Sequence, residues 1–130
     1  MKTSTSWVSG HIFETEHEGN KVKVDGSVEA GPSPKALLLS GLAGCTGIDV
    51  VDILDKMRVS YSGLEITAEA DQTTEHPKVF KDIQLTYTVQ ADAGDEDKIR
   101  KAIDLSLDKY CGVAAMLRKN SPIHYTLVIK

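Results

Sequence analysis

Apolar positions alternate with polar ones in some stretches of the chain and recur at helical spacing in others. Three short strands are predicted before residue 26, over Thr3 to Val8, His11 to Glu16 and Lys21 to Asp25, punctuated by Ser9-Gly10 and Gly19-Asn20. Val22 and Val24 alternate with Lys21, Lys23 and Asp25, the spacing of a half-buried strand. Further along, Leu64, Ile66, Ala68 and Ala70 alternate with Glu65, Thr67, Glu69 and Asp71. Ile83, Leu85, Tyr87 and Val89 repeat that pattern after a polar loop containing His76-Pro77, and Ile123, Tyr125, Leu127 and Ile129 mark a last strand.

Helical spacing governs the rest. In Gly31-Pro32-Ser33-Pro34, Ser33 can cap a helix and Pro34 suits its first position, where a missing N–H costs nothing. The helix is predicted to run to Met57 or Arg58. Its first half is apolar almost all round (Leu37, Leu38, Leu39, Leu42, Ala43, Cys45, Ile48) and must therefore be covered on every side. Gly41, Gly44 and Gly47 recur every three residues; they suit close backbone packing, or a bend near Cys45. A second helix is predicted from about Asp95, with Glu96 and Asp97 favouring its N-terminal dipole. Its inner stripe is Ile99, Ala102, Ile103, Ser106, Leu107 and Tyr110, with a break at Cys111-Gly112 and a resumption through Leu117 that Arg118, Lys119 and Asn120 close.

The order is βββ-α-ββ-α-β without repeat or linker, an α+β fold expected to form one domain over residues 1–130. So short a chain has little with which to cover an all-round apolar helix. A homodimer is the simplest remedy, with central helices of two subunits packing through their small residues; a different partner would satisfy the same pattern.

Composition adds exclusions. The chain has 130 residues, 41% hydrophobic and 26% charged, with a formal net charge of -4 spread along its length. No stretch gathers Lys and Arg, so no nucleic-acid partner is expected. The first residues lack the apolar run of a signal peptide. Ala36 to Ile48 falls short of the ~18 residues of a membrane span, and Asp49 and Asp52 follow it. No membrane association is expected, and the cytoplasm is the expected location. Two cysteines in such a chain are poor candidates for a structural disulfide.

Those cysteines are the best candidates for chemistry. Cys45 lies mid-helix, about three turns from Ser33 and beyond the reach of the helix dipole, with Asp49 one turn later. A carboxylate there raises a thiol pKa, so a reactive Cys45 needs a cation from elsewhere. Cys111 stands at the helix break, with Arg118 two turns on. The alternative for both is packing, since free cysteine is among the most buried residue types. His11, His17, His76 and His124 are scattered without zinc-ligand spacing, and no phosphate-binding glycine loop or nucleophile elbow is present, so no metal or cofactor is expected. Asp49, Asp52 and Asp55 with Lys56 read as a solvated helix face.

The segment GPSPKALLLSGLAGCTGIDVVDILDKM (Gly31 to Met57) resembles the central helix of the OsmC/Ohr family, where a G-x-[SN]-P turn precedes the peroxidatic cysteine. KYCGVAAMLRK (Lys109 to Lys119) resembles the stretch with the family's second cysteine, often C-P-V-S. Element order agrees over essentially the whole chain, and CTGIDVVDIL is most similar to the YhfA-type branch. The resemblance implies an intertwined homodimer with long central helices packed between antiparallel sheets. It also implies a cofactor-free thiol peroxidase for organic hydroperoxides: Cys45 becomes a sulfenic acid, Cys111 condenses with it to a disulfide, and a dithiol reductant restores both.

Departures from the family pattern bear on activity. Active members supply an arginine from the N-terminal strands and a glutamate ten residues before the cysteine; here no Arg precedes Arg58, and Lys35 holds the glutamate position. Gly112 and Ala114 replace the Pro and Ser of the second motif. Lys35 and Arg118 are the candidate electrostatic helpers, although a lysine cannot reproduce a bidentate guanidinium. The expected function is thus a weakened hydroperoxide reductase. The alternatives are a non-catalytic protein that binds a small hydrophobic ligand at the dimer interface or senses redox state, and a cysteine enzyme acting on a carbonyl or thioester.

Overall fold

A computed structural model describes residues 1–130 as two compact units, Met1–Leu39 and Ser40–Lys130. The first holds strands β1 (Ser4–Ser9), β2 (Ile12–His17) and β3 (Asn20–Asp25) in an antiparallel sheet of that order. Pairing sets Trp7 opposite Phe13, Phe13 opposite Val24 and Thr15 opposite Val22. Because successive strand residues face opposite sides, Trp7, Phe13, Val22 and Val24 share one face, while Ser6, Glu14 and Lys23 share the other. Beyond β3 the chain winds round Asp25. Its buried carboxylate accepts hydrogen bonds from the backbone N–H groups of Ser27, Glu29 and Ala30 at 2.8, 3.2 and 3.0 Å. The Asp25 N–H donates to the Pro32 carbonyl at 3.0 Å.

Helix α1 (Pro34–Lys56) begins as its sequence requires, with Ser33 Oγ accepting from the Ala36 N–H at 3.3 Å. It runs unbroken past its glycines. Only Leu42, Thr46, Val50 and Leu54 are buried, an i,i+4 stripe that faces the core of the second unit. By length and composition α1 would suit a membrane span, its most apolar window averaging a mean hydropathy of 1.7. The sequence falls short of that only when the uninterrupted apolar run is counted alone. The covering that an all-round apolar helix demands is therefore incomplete within one chain: Leu38 is 50% exposed and Ile48 66%.

In the second unit β4 (Tyr61–Gln72), β5 (Phe80–Ala91) and β6 (Ile123–Ile129) form a sheet of that order, and Ile83, Leu85, Tyr87 and Val89 of β5 are buried in the core. One pairing departs from the antiparallel expectation. β6 runs parallel to β5, with Ile83 opposite Ile123 and Val89 opposite Ile129. A parallel neighbour needs a long crossover, and the helical segment provides it: a 3-10 turn (Ala93–Asp95), α2 (Glu96–Leu105), a π-helical turn (Ser106–Tyr110) and α3 (Gly112–Arg118).

The predicted inner stripe holds for Ile99, Ala102, Ile103, Ser106 and Leu107, all buried, but Tyr110 is 54% exposed. The cause is the π turn, whose wider i→i+5 bonding slips the helical phase by one residue before Cys111.

Candidate functional site

The π turn gives Cys111 its place. Its N–H donates to the Ser106 carbonyl at 2.7 Å, and the residue then leaves the helix with φ -74° and ψ 103°. In that extended conformation it caps α3, its Sγ accepting from the Ala114 N–H at 3.3 Å. Gly112 thus stands at the first position of α3, with nothing near enough to meet a Cβ. Cys111 is only 3% exposed.

Cys45 comes to the same spot from α1, half-buried and one residue before the buried Thr46. Both thiols are free, and Cys45 is close enough to act on the Cys111 thiol. Burial first, then the neighbouring Cys45, push the Cys111 thiol up to about 11, and Asp49 acts in the same direction. A group at that value keeps its proton at neutral pH.

Beside the thiols lies a buried hydroxyl chain that the sequence reading did not assemble. Thr46 Oγ1 is 2.8 Å from Tyr87 Oη and 2.7 Å from Ser106 Oγ, and Ser106 Oγ donates to Asp49 Oδ2 at 2.9 Å. Each hydroxyl has one proton to give, so the carboxylate fixes the direction of the whole chain: Tyr87 donates to Thr46, Thr46 to Ser106, and Ser106 to Asp49. Burial pushes the Tyr87 phenol up to about 12, which keeps it the donor at the chain's start. Asp49 was expected on a solvated face; instead it is half-buried and terminates this network. Polar residues on inward stripes (Thr46 on α1, Tyr87 on β5, Ser106 in the second helical stretch) were the signal that could have found it.

The two helper cations stand differently. Arg118 Nη1 donates to the Leu107 carbonyl of the π turn at 2.9 Å, capping a C=O that the turn leaves without a helical partner. Lys35 is in the first turn of α1, about three turns before Cys45. The groups acting on the Cys111 thiol are Cys45, Ala114 and Asp49, together with burial, and none of them is a cation.

An open apolar groove of about 570 Å³ runs along the other side of α1, lined by Ala43, Gly44, Gly47, Val51, Leu64 and Ile66 among others, with Asp52 at its polar end.

Known proteins resemble this chain throughout. A family model described as OsmC-like protein matches residues 25–126. Protein YhfA of Escherichia coli (strain K12) is 36% identical over 121 residues, covering 92% of this chain and 90% of the relative. Among solved structures, an OsmC like protein from Mycoplasma pneumoniae superposes with a TM-score of 0.86 at 16% identity, covering 98% of this chain and 95% of its own. The organic hydroperoxide resistance protein OhrB of Bacillus subtilis does so with a TM-score of 0.64 at 17% identity, covering 99% and 96%.

Proposed function

The chain belongs to the OsmC family, and on that premise we propose that it is a thiol-dependent redox protein that reduces organic hydroperoxides through a two-cysteine cycle. The observation that carries this reading is the nearness of two free thiols contributed by elements far apart in sequence.

The cycle balances as follows. The Cys45 thiolate attacks the O–O bond, takes one oxygen as a sulfenic acid and releases the other, with a proton, as the alcohol. The Cys111 sulfur then attacks the sulfenic sulfur; an S–S bond forms, the S–O bond breaks, and water leaves with the Cys111 proton. A dithiol reductant reopens the disulfide by exchange. The division of labour follows burial: Cys111, only 3% exposed, is the resolving thiol, and the half-buried Cys45 meets the hydroperoxide as the attacking thiolate. Lys35 and Arg118 are the cations we assign to reinforce it. With Lys35 where the family carries glutamate and no Arg before Arg58, the rate is expected to be below that of the active branch. A homodimer and a cytoplasmic location, where thiols stay reduced, belong to the same reading.

The test is the intact mass before and after a stoichiometric dose of cumene hydroperoxide, in wild type, Cys45→Ser and Cys111→Ser. We expect loss of two hydrogens in the wild type, gain of one oxygen in Cys111→Ser, and no disulfide in Cys45→Ser. Unmodified thiols after prolonged exposure would sink the cycle.

The groove favours a second reading, in which the protein binds a small apolar ligand and the cysteines only pack. Cys45→Ser would then leave ligand affinity unchanged.

A further inference from the structure

We propose that Ser106 is a positioning residue for disulfide formation, a bridge that ties the turn carrying Cys111 to the helix carrying Cys45. The inference deepens the two-cysteine reading and rests on it.

Ser106 is fully buried and bonded in two directions. Its side chain reaches α1 at two positions within a turn after Cys45, accepting from Thr46 Oγ1 at 2.7 Å and donating to Asp49 Oδ2 at 2.9 Å. Its carbonyl accepts the Cys111 N–H at 2.7 Å. One residue thus connects the two cysteine-bearing elements through hydrogen bonds, and the one to Asp49 is charge-assisted and correspondingly strong. Cys111 has left the helix by this point, so the ordinary i→i+4 ladder no longer fixes its backbone. The π-type bond to Ser106 does so instead, and the Ser106 hydroxyl fixes Ser106 to α1. Positioning of this kind matters for ring closure. The disulfide forms only when two sulfurs meet along a narrow range of geometries, and prior placement replaces entropy that a loose pair would lose in the encounter.

The experiment equilibrates the full chain in glutathione redox buffers and measures the Cys45–Cys111 disulfide by mass after acid quench and alkylation. The readout is the effective concentration of one thiol at the other in the folded protein. A residue that served only stability would lower the denaturation midpoint and leave this equilibrium unmoved. Ser106→Ala is expected to lower the effective concentration about tenfold, the factor that accompanies a loss of about 1.4 kcal/mol. Asp49→Ala should do the same, whereas Asp49→Asn, which keeps a weaker neutral acceptor, should hold an effective concentration at least about threefold above that of Asp49→Ala. Both Asp49 variants remove the charge and only Asn keeps an acceptor, so the comparison isolates the hydrogen bond and carries the test alone should Ser106→Ala not fold.

Folded Ala variants with the wild-type equilibrium would overturn the proposal. A wild type that forms no disulfide in any buffer would overturn it together with the two-cysteine cycle. A wild type that closes the disulfide with glutathione but never with hydroperoxide would remove the substrate assignment and leave the bridge standing.

Discussion

At the scale of single residues, proton linkage sets where this fold is stable. Cys111 is held near 11 and Tyr87 near 12, both chiefly by burial. Each therefore binds its proton more tightly folded than unfolded, where the ordinary values are ~8.5 and ~10. Between the unfolded and folded values the native state holds protons that the unfolded chain has released, so stability falls as pH rises. For Cys111 this contribution is complete below about pH 8.5 and is lost as pH passes through about 11, a loss of about 3 kcal/mol. Asp25 works at the other end. The N–H groups of Ala30, Ser27 and Glu29 lower its pKa, so its contribution is present above about pH 4 and disappears as the pH falls through the lower folded value. Urea unfolding from pH 7.5 to 11 should show a declining midpoint, and Cys111→Ala should flatten the decline between about pH 8.5 and 11. An unchanged slope in that variant would mean that Cys111 ionises folded much as it does unfolded.

Among the elements, the loop wound round Asp25 is the most tightly specified. An added Cβ at Gly31 would collide with the Lys23 carbonyl oxygen, a backbone atom that cannot step aside. Gly31→Ala should therefore cost about 1–3 kcal/mol of stability by strain; thermal unfolding that shows no loss would contradict the collision. Nothing in the chain's periodicity marks Gly31 in this way, because its partner is the backbone of β3. What was legible were features written locally. The Ser33 cap, the alternation in β4, β5 and β6, and the break at Cys111 each depend on neighbours within a few residues. The parallel placement of β6 and the hydroxyl chain depend on where a crossover lands, which local spacing does not encode. Tyr110 shows the boundary between the two. A regular helix would have turned it inward, and the π turn, placed by the Ser106–Cys111 bond, turns it out. The cysteines themselves were legible as types, and through the family resemblance as a pair; their nearness appears only with the fold.

For the whole molecule, the question is what covers the apolar surface that one chain leaves open. Trp7, at 67% exposed, shares a sheet face with Phe13 and Val22, both well exposed, and α1 shows Leu38 and Ile48. About half of each such side chain remains to be covered. At ~1.5–3 kcal/mol for complete burial of a large apolar side chain, ten of them in two copies yield roughly 8–15 kcal/mol. That is the same order as the roughly 4–15 kcal/mol that association costs, so area alone only breaks even and close packing must supply the margin. The surface for it is on α1: a Cβ at Gly41 or Gly44 would meet nothing within 4 Å in the lone chain, whereas one at Gly47 would press on Ile66 Cδ1 at 3.2 Å. Glycine at the first two positions costs ~1 kcal/mol each in helix propensity and gains nothing inside one chain. A second α1 approaching along this stripe would use both. The expected result is that sedimentation equilibrium at micromolar concentration returns twice the chain mass for wild type and the single chain mass for Gly44→Leu, with the variant's helix content intact. A dimeric Gly44→Leu of undiminished stability would move the interface away from this stripe, and a wild type at the single chain mass would show that the open apolar faces are not covered by a second copy.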